Sequence, residues 1–318
     1  MTASPSSPDI RRSSFGIRHS PAVWLRALRI PFFVGTLAPV GIGAAYAHFA
    51  GAPFNWLRFA LTFVGVMFTN AGLNLANDYF DHKSGDDDLT IATPVSGGSK
   101  VIQEGLLAPR EVITAALVFL VLAAAIGTYL SSVVGGWLIL ALGGVGMLFA
   151  VGYSAPPLRL GHRRGLGELA CLLGCGPVIG LGAYYVQAGR ISVAAALATL
   201  PVGMLMALIL LLNEFHDRKA DGSVGKNTLL VVLGTRASAW LNAVVLTLTF
   251  ALTCGLIGFR VLPVTALLTL TGLPIAAFVA LRVLRYHADG PRLLAANFAM
   301  ITLHILYSVT LIVTLATT

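Results

Sequence analysis

Two short stretches concentrate the groups that could do chemistry. The first, Asn74 to Asp88, reads N-L-A-N-D-Y-F-D-H-K-S-G-D-D-D and places Asp78, Asp81, Asp86, Asp87 and Asp88 within eleven residues. The second, Asn213 to Asp221, reads N-E-F-H-D-R-K-A-D and adds Glu214, Asp217 and Asp221. Together they hold eight of the chain's thirteen acidic residues. On a helix, residues three and four apart share a face, so Asn74, Asp78 and Asp81 line up, as do Asn213, Asp217 and Asp221. Mg²⁺ prefers hard oxygen ligands and is commonly held by one or two carboxylates plus the phosphates of a substrate. Two carboxylate faces opposed across a cavity would suit two such ions clamping one diphosphate. Each asparagine could orient a ligand or bind the ion through its amide oxygen. Asp86, Asp87 and Asp88 stand at the start of a polar stretch and read equally well as a solvated loop.

The elements that must position these residues are apolar. Only 11% of the 318 residues are charged and 57% are hydrophobic, with a mean hydropathy of +0.84. Soluble domains carry about a quarter charged residues, so this is the composition of a membrane protein. Apolar segments run over about 31–50, 55–77, 110–131, 135–153, 166–187, 193–213, 236–257, 262–282 and 293–316. The bilayer excludes open sheets. The expected fold is therefore all-α, a polytopic bundle of about nine transmembrane helices, arranged as two four-helix halves plus a ninth helix. Both acidic stretches end the second helix of a four-helix block, and both begin Asn-x-x-x-Asp, 139 residues apart. Such a duplication would bring the two clusters face to face.

The net charge of +8 is spread singly between apolar runs. That pattern argues against nucleic acid as a partner and for topology signals facing a lipid bilayer. Eighteen of the twenty-one Lys and Arg residues fall in the N-terminal tail and in the loops after helices 2, 4, 6 and 8; Arg58, Arg190 and Arg260 fall on the other side. By the positive-inside rule, the N-terminus and both acidic stretches face the cytoplasm of a multi-pass cell (inner) membrane protein. Residues 1–23 lack an apolar core and read as a disordered cytoplasmic tail, not a signal peptide, leaving 24–318 as the transmembrane domain. Cys171, Cys175 and Cys254 fall inside apolar runs without metal-ligand partners and read as buried thiols.

Three motifs carry a family resemblance. N-D-Y-F-D-H-K-S-G-D-D runs from Asn77 to Asp87, and N-x-x-x-D-x-x-x-D from Asn213 is followed by G-K-N-T-L from Gly225 to Leu229. Y-S-A-P-P-L runs from Tyr153 to Leu158. Over nearly the whole chain after residue 24, the sequence resembles the UbiA superfamily of intramembrane prenyltransferases. It looks most like the branch that prenylates 1,4-dihydroxy-2-naphthoate in menaquinone synthesis. It departs from that branch at Glu214, where a second asparagine or similar residue is expected, and at Asn227, where a basic residue is usual.

The resemblance implies a Mg²⁺-dependent transfer. A prenyl diphosphate loses its diphosphate, and the allylic cation alkylates an electron-rich carbon of an aromatic small-molecule acceptor inside a dry cavity. It implies Asp78, Asp81, Asp217 and Asp221 as metal ligands. Asn74, Asn77, Asn213, Lys83 and Lys226 are implied as substrate-binding residues, with Lys226 in the G-K-x-T pattern the best diphosphate partner. Lys100, Arg159, Arg218 and Lys219 lie near the motifs and could serve the same end. Tyr153 would stack its ring face on the allylic cation. Arg29, with Arg26, would hold an acceptor carboxylate. His82 and His216 stand beside motif aspartates and could help with a proton, whereas His304 reads as a packed polar residue. Two rivals stay open from sequence: a terpene cyclase of the same superfamily, ionising the diphosphate without an acceptor, and a transporter. Transporters place coupling carboxylates near the midplane in broken helices, and here both clusters sit at helix ends.

Overall fold

The computed structural model describes residues 20–89 and 98–318 and, among them, contains helices and no strand. The expected tail, residues 1–23, lies outside the described residues up to position 19, and helix begins at Pro21. The side chain of Asp88 also lies outside them.

Among the described residues, nine apolar helical units follow in chain order: α1 Pro21–Phe49, α2 Trp56–Ser84, α3 Pro109–Val134, α4 Leu138–Gly152, α5 Leu166–Ala188, α6 Val193–Ser223, α7 Thr235–Gly258, α8 Val264–Tyr286 and α9 Gly290–Thr317. Eight of them are long and apolar enough to cross a membrane. The exception is α4, whose 15 residues fall short of the roughly 20 a span needs. Gly135 and Gly136, both at positive φ, delay its start, and the turn beyond Tyr153 ends it.

Several units are interrupted where backbones or polar groups must meet. In α1, Arg29 takes a left-handed conformation (φ 52°) between the helix Pro21–Leu28 and the short 3₁₀ turn Ile30–Phe33. In α5, Gly174–Val178 forms a π turn around Pro177. There, a Cβ on Gly176 would stand 2.9 Å from the Cα of Gly203 in α6. With no hydrophobic force between helices in lipid, such small-residue contacts let backbones approach. Gly43 of α1 meets the backbone of Gly180 in α5 the same way.

The packing order differs from the sequence order. α2 packs mainly on α3, while α1 lies against α5 and α9, and α6 contacts α5, α7 and α9. The largest core runs between α1, α5, α6, α7, α8 and α9 around Leu205, Leu212, Met300 and Tyr307. Residues such as Val121, Trp137, Trp240, Val244 and Phe278 point outward and stay exposed, as lipid-facing positions do. Between α2, α3, α4, α5 and α6 the bundle leaves a cavity of about 640 Å³.

Candidate active site

One end of this cavity is polar and the other apolar. Gly65 and Val66 of α2, Ile126 and Gly127 of α3, Leu142, Gly143 and Met147 of α4, and Ile179 and Gly182 of α5 line the apolar part. The polar end gathers Arg29, Asn74, Asn77, Asp81, Asp86, Asp87, Tyr153, Asn213, Glu214, Asp217, Asp221 and Lys226. The two acidic stretches thus face one another across one mouth.

Local structure explains the first cluster. α2 continues past the apolar run to Ser84, so Asp78 and Asp81 sit on helix. Gly85, at φ 79°, closes it with its backbone N–H on the carbonyls of Asp81 and His82. Glycine takes that left-handed cap at little cost, and it turns the chain back. Asp86 and Asp87, on the short helix Asp86–Leu89, are thereby brought into the cavity wall, 2% and 5% exposed. The even reading of Asp86 and Asp87 between loop and site resolves to buried residues of the cavity wall.

Lys226 ties the clusters together. Its Nζ donates to Asp86 Oδ2 at 2.9 Å and pairs with Asp221 Oδ1 at 3.2 Å. Burial pulls the ammonium down, but Asp221, Asp81 and Asp86 outweigh it, and the group stays well above the usual lysine range. Its loop is fixed on four sides. Lys226 N donates to Asp221 O (2.9 Å), Asn227 N to His162 O (3.2 Å), Leu229 N to Glu168 Oε1 (3.0 Å) and Leu230 N to Glu214 Oε2 (3.3 Å). Glu214 therefore serves the fold at this point, capping the helix Leu229–Leu233 that follows the lysine loop.

The remaining expected residues divide. Asp78 is 2% exposed but does not line the cavity; its carboxylate is held by Arg29 and by Ser99 Oγ. Arg29 itself lines the cavity. Arg26 forks both nitrogens onto Glu104 at 2.6 and 2.7 Å, so it already grips a carboxylate of its own chain. Asn74 donates to Leu28 O at 2.7 Å, and Asn77 accepts from Ser154. Asn213 accepts from Asn297 at 2.9 Å, and Asn297 in turn meets His216 at 3.1 Å, linking α9 to the second motif. Lys83, Arg159, Arg218 and Lys219 are exposed and stand off the cavity wall. Lys100 is buried with its Nζ on Asp87; burial raises the Asp87 carboxyl, and Lys100 offsets part of that. His304 is packed inside α9 at 1% exposure. Cys171 and Cys175 are free thiols on the cavity wall, and Cys254 is exposed, not buried as expected, because its side of α7 faces outward.

Tyr153 lines the cavity where α4 ends. Its ring is seated on two glycines: a Cβ on Gly161 would fall 2.7 Å from Tyr153 Cε1, and one on Gly167 3.2 Å from Cε2. Burial pushes the phenol well above its usual value, so the ring presents a neutral face. Two residues were missed from sequence. Glu168 carried no motif signal. His162, on the turn Leu160–His162, enters the site only through tertiary folding. Burial, with Lys226 nearby, pulls its imidazole down to about 4, which leaves it neutral at neutral pH.

Such an arrangement can clamp a hard cation and an anion beside an apolar cavity. Buried carboxylates are costly unless paired or coordinated. Asp86 Oδ1 is buried without a hydrogen-bond partner, which fits a divalent ion at this donor set.

Known proteins resemble this chain in sequence and in fold. Over 284 residues the chain is 29% identical to a 2-carboxy-1,4-naphthoquinone phytyltransferase of Synechocystis sp., covering 89% of each chain. Over 213 residues it is 32% identical to a 1,4-dihydroxy-2-naphthoate octaprenyltransferase of Mycobacterium tuberculosis, covering 67% of this chain and 70% of that protein. A UbiA homologue from Archaeoglobus fulgidus, solved bound to GPP and Mg²⁺, has the same fold with a TM-score of 0.63 at 14% identity, covering 93% of this chain and all of that one. The profile of the UbiA prenyltransferase family matches residues 36–308, most of the chain and both acidic stretches. With nearly the whole bundle matched and both acidic stretches meeting at one apolar cavity, the chain belongs to the UbiA prenyltransferase family.

Proposed function

We propose that the chain transfers a prenyl group from a prenyl diphosphate to an aromatic acceptor of the 1,4-dihydroxy-2-naphthoate type, releasing diphosphate. The observation that carries this reading is the Lys226 bridge between Asp86 and Asp221 at the mouth of an apolar cavity. It puts a buried cation and two sets of carboxylates where a diphosphate and its metal would meet. The named activities of the naphthoate-prenylating relatives support the acceptor class.

Asp81, Asp86, Asp217 and Asp221 would hold Mg²⁺, whose chemistry when bound is to neutralise charge on the departing diphosphate. Lys226 donates to the same phosphate oxygens and removes part of that charge itself. The apolar wall from Gly65 to Gly182 holds the prenyl chain and excludes water from the reacting carbon. Tyr153 turns a neutral ring toward the mouth, where it favours positive charge on the allylic carbon. Arg29, held by Asp78 at the cavity wall, is the guanidinium nearest to hand for an acceptor carboxylate.

The basic-residue asymmetry supports a cell-membrane protein with the cavity mouth on the cytoplasmic side. The purified protein, given Mg²⁺, geranylgeranyl diphosphate and a panel of aromatic acceptors, should yield a product whose mass is prenyl plus acceptor, with or without loss of carbon dioxide. A hydrocarbon or alcohol formed from the diphosphate alone, at a rate indifferent to acceptor, would instead show a cyclase.

A further inference from the structure

His162 stands outside both acidic stretches yet reaches two carboxylates of the first. One of its ring nitrogens, a carboxylate oxygen of Asp81 and one of Asp86 all lie within 4.8 Å of one another. Three separate segments supply them: α2, the short helix after Gly85, and the turn Leu160–His162. The turn is held in place from both sides. Gly161 N donates to Tyr153 O at 2.9 Å, and His162 O accepts from Asn227 N beside the lysine loop.

The two oxygens of the Asp86 carboxylate are treated differently. Oδ2 takes the Lys226 ammonium, while Oδ1 is buried and makes no hydrogen bond. An oxygen left in that condition is costly, because its lost hydration is not replaced. An ion placed between the two aspartates and the imidazole would satisfy it.

We propose that Asp81, Asp86 and His162 form one mixed nitrogen–oxygen site for a divalent cation, with His162 as a direct ligand. This rests on the reading that a cation and a diphosphate meet at this mouth, and it adds a ligand that neither motif contains. It also alters which ion the site favours. Mg²⁺ suits all-oxygen cages, whereas imidazole shifts preference toward later transition metals and is accepted by Mn²⁺.

Full-length protein in detergent, with Mn²⁺ alone as the probe, tests this by pulsed electron paramagnetic resonance. Nitrogen coupling to the bound Mn²⁺ is expected in the wild type, is lost in His162→Gln and is kept in His82→Gln. Mn²⁺ affinity should fall by about tenfold or more in His162→Gln, since even outer-shell partners cost that much. If His162→Gln does not fold, a His82→Gln/His216→Gln double variant should retain the coupling, and its loss there overturns the proposal. Bound Mn²⁺ without nitrogen coupling overturns the imidazole ligand and leaves prenyl transfer standing. No Mn²⁺ bound by the wild type, with or without inorganic diphosphate, overturns both.

Discussion

Asp78 and Asp81 are three residues apart on α2 and yet answer to different neighbours. Asp78 is engaged by Arg29 and Ser99, whereas Asp81 opens onto the cavity beside Asp86. A carboxylate already compensated by a guanidinium offers less to an incoming cation. Asp81→Ala should therefore raise the Mg²⁺ needed for half-maximal turnover by about tenfold or more. Asp78→Ala should instead strand Arg29, a loss of about 3–5 kcal/mol for a broken buried pair, and extra Mg²⁺ should not restore it. Initial rates over a Mg²⁺ series, with thermal melts, separate the two; the same Mg²⁺ dependence in both variants would count against this division. Helical spacing predicted that these carboxylates share a face, and they do lie on one helix. It could not say that α1 would bring Arg29 up to one of them. Nor could it show His162, whose approach to Asp81 and Asp86 depends on how two loops fold over the mouth.

The turn between α4 and α5 carries Tyr153 and Gly161, and the first turn of α5 carries Gly167, the second glycine against its ring. Adding a methyl at Gly161 would place carbon 2.7 Å from the ring, closer than packed atoms allow, so the tyrosine must move. Gly161→Ala should lower turnover by about tenfold or more, because small displacements at a reacting centre are costly. Purified Gly161→Ala protein that elutes as wild type but turns over as fast would show that Tyr153 needs no such seat. The break after Tyr153 was legible in its two prolines, whereas the return of Asp86 at Gly85 was not, the sequence reading Asp86 and Asp87 equally well as a solvated loop. The seat itself was not, since contact between Gly161 and Tyr153 is a matter of loop closure and not of local propensity. Helices α2 and α6 run on past their apolar segments to Ser84 and Ser223, which carries Asp81 and Asp221 to the mouth on helix.

The bundle as a whole was readable from hydropathy, while the pairing of α1 with α5 and α9 was not. In lipid, neighbours are chosen by close contacts of small residues such as Gly43 with Gly180, and these leave little trace in a hydropathy profile. The proposed orientation rests on charge and predicts that a reporter fused after Thr318 appears on the far side of the membrane, and one inserted among residues 83–100 on the cytoplasmic side. The reverse pattern would place the mouth away from the cellular pool of diphosphates. Lys226 adds a mechanical consequence at this scale. Asp86 follows the end of α2 and Asp221 lies near the end of α6, so one ammonium clasps these two helix ends at the cavity mouth. Under the proposed function, a diphosphate would draw on the same ammonium, and a divalent ion would draw on the same carboxylates. Loading the site would therefore unfasten the clasp, and discharge of the product would refasten it, so that the mouth loosens and tightens once in every catalytic cycle.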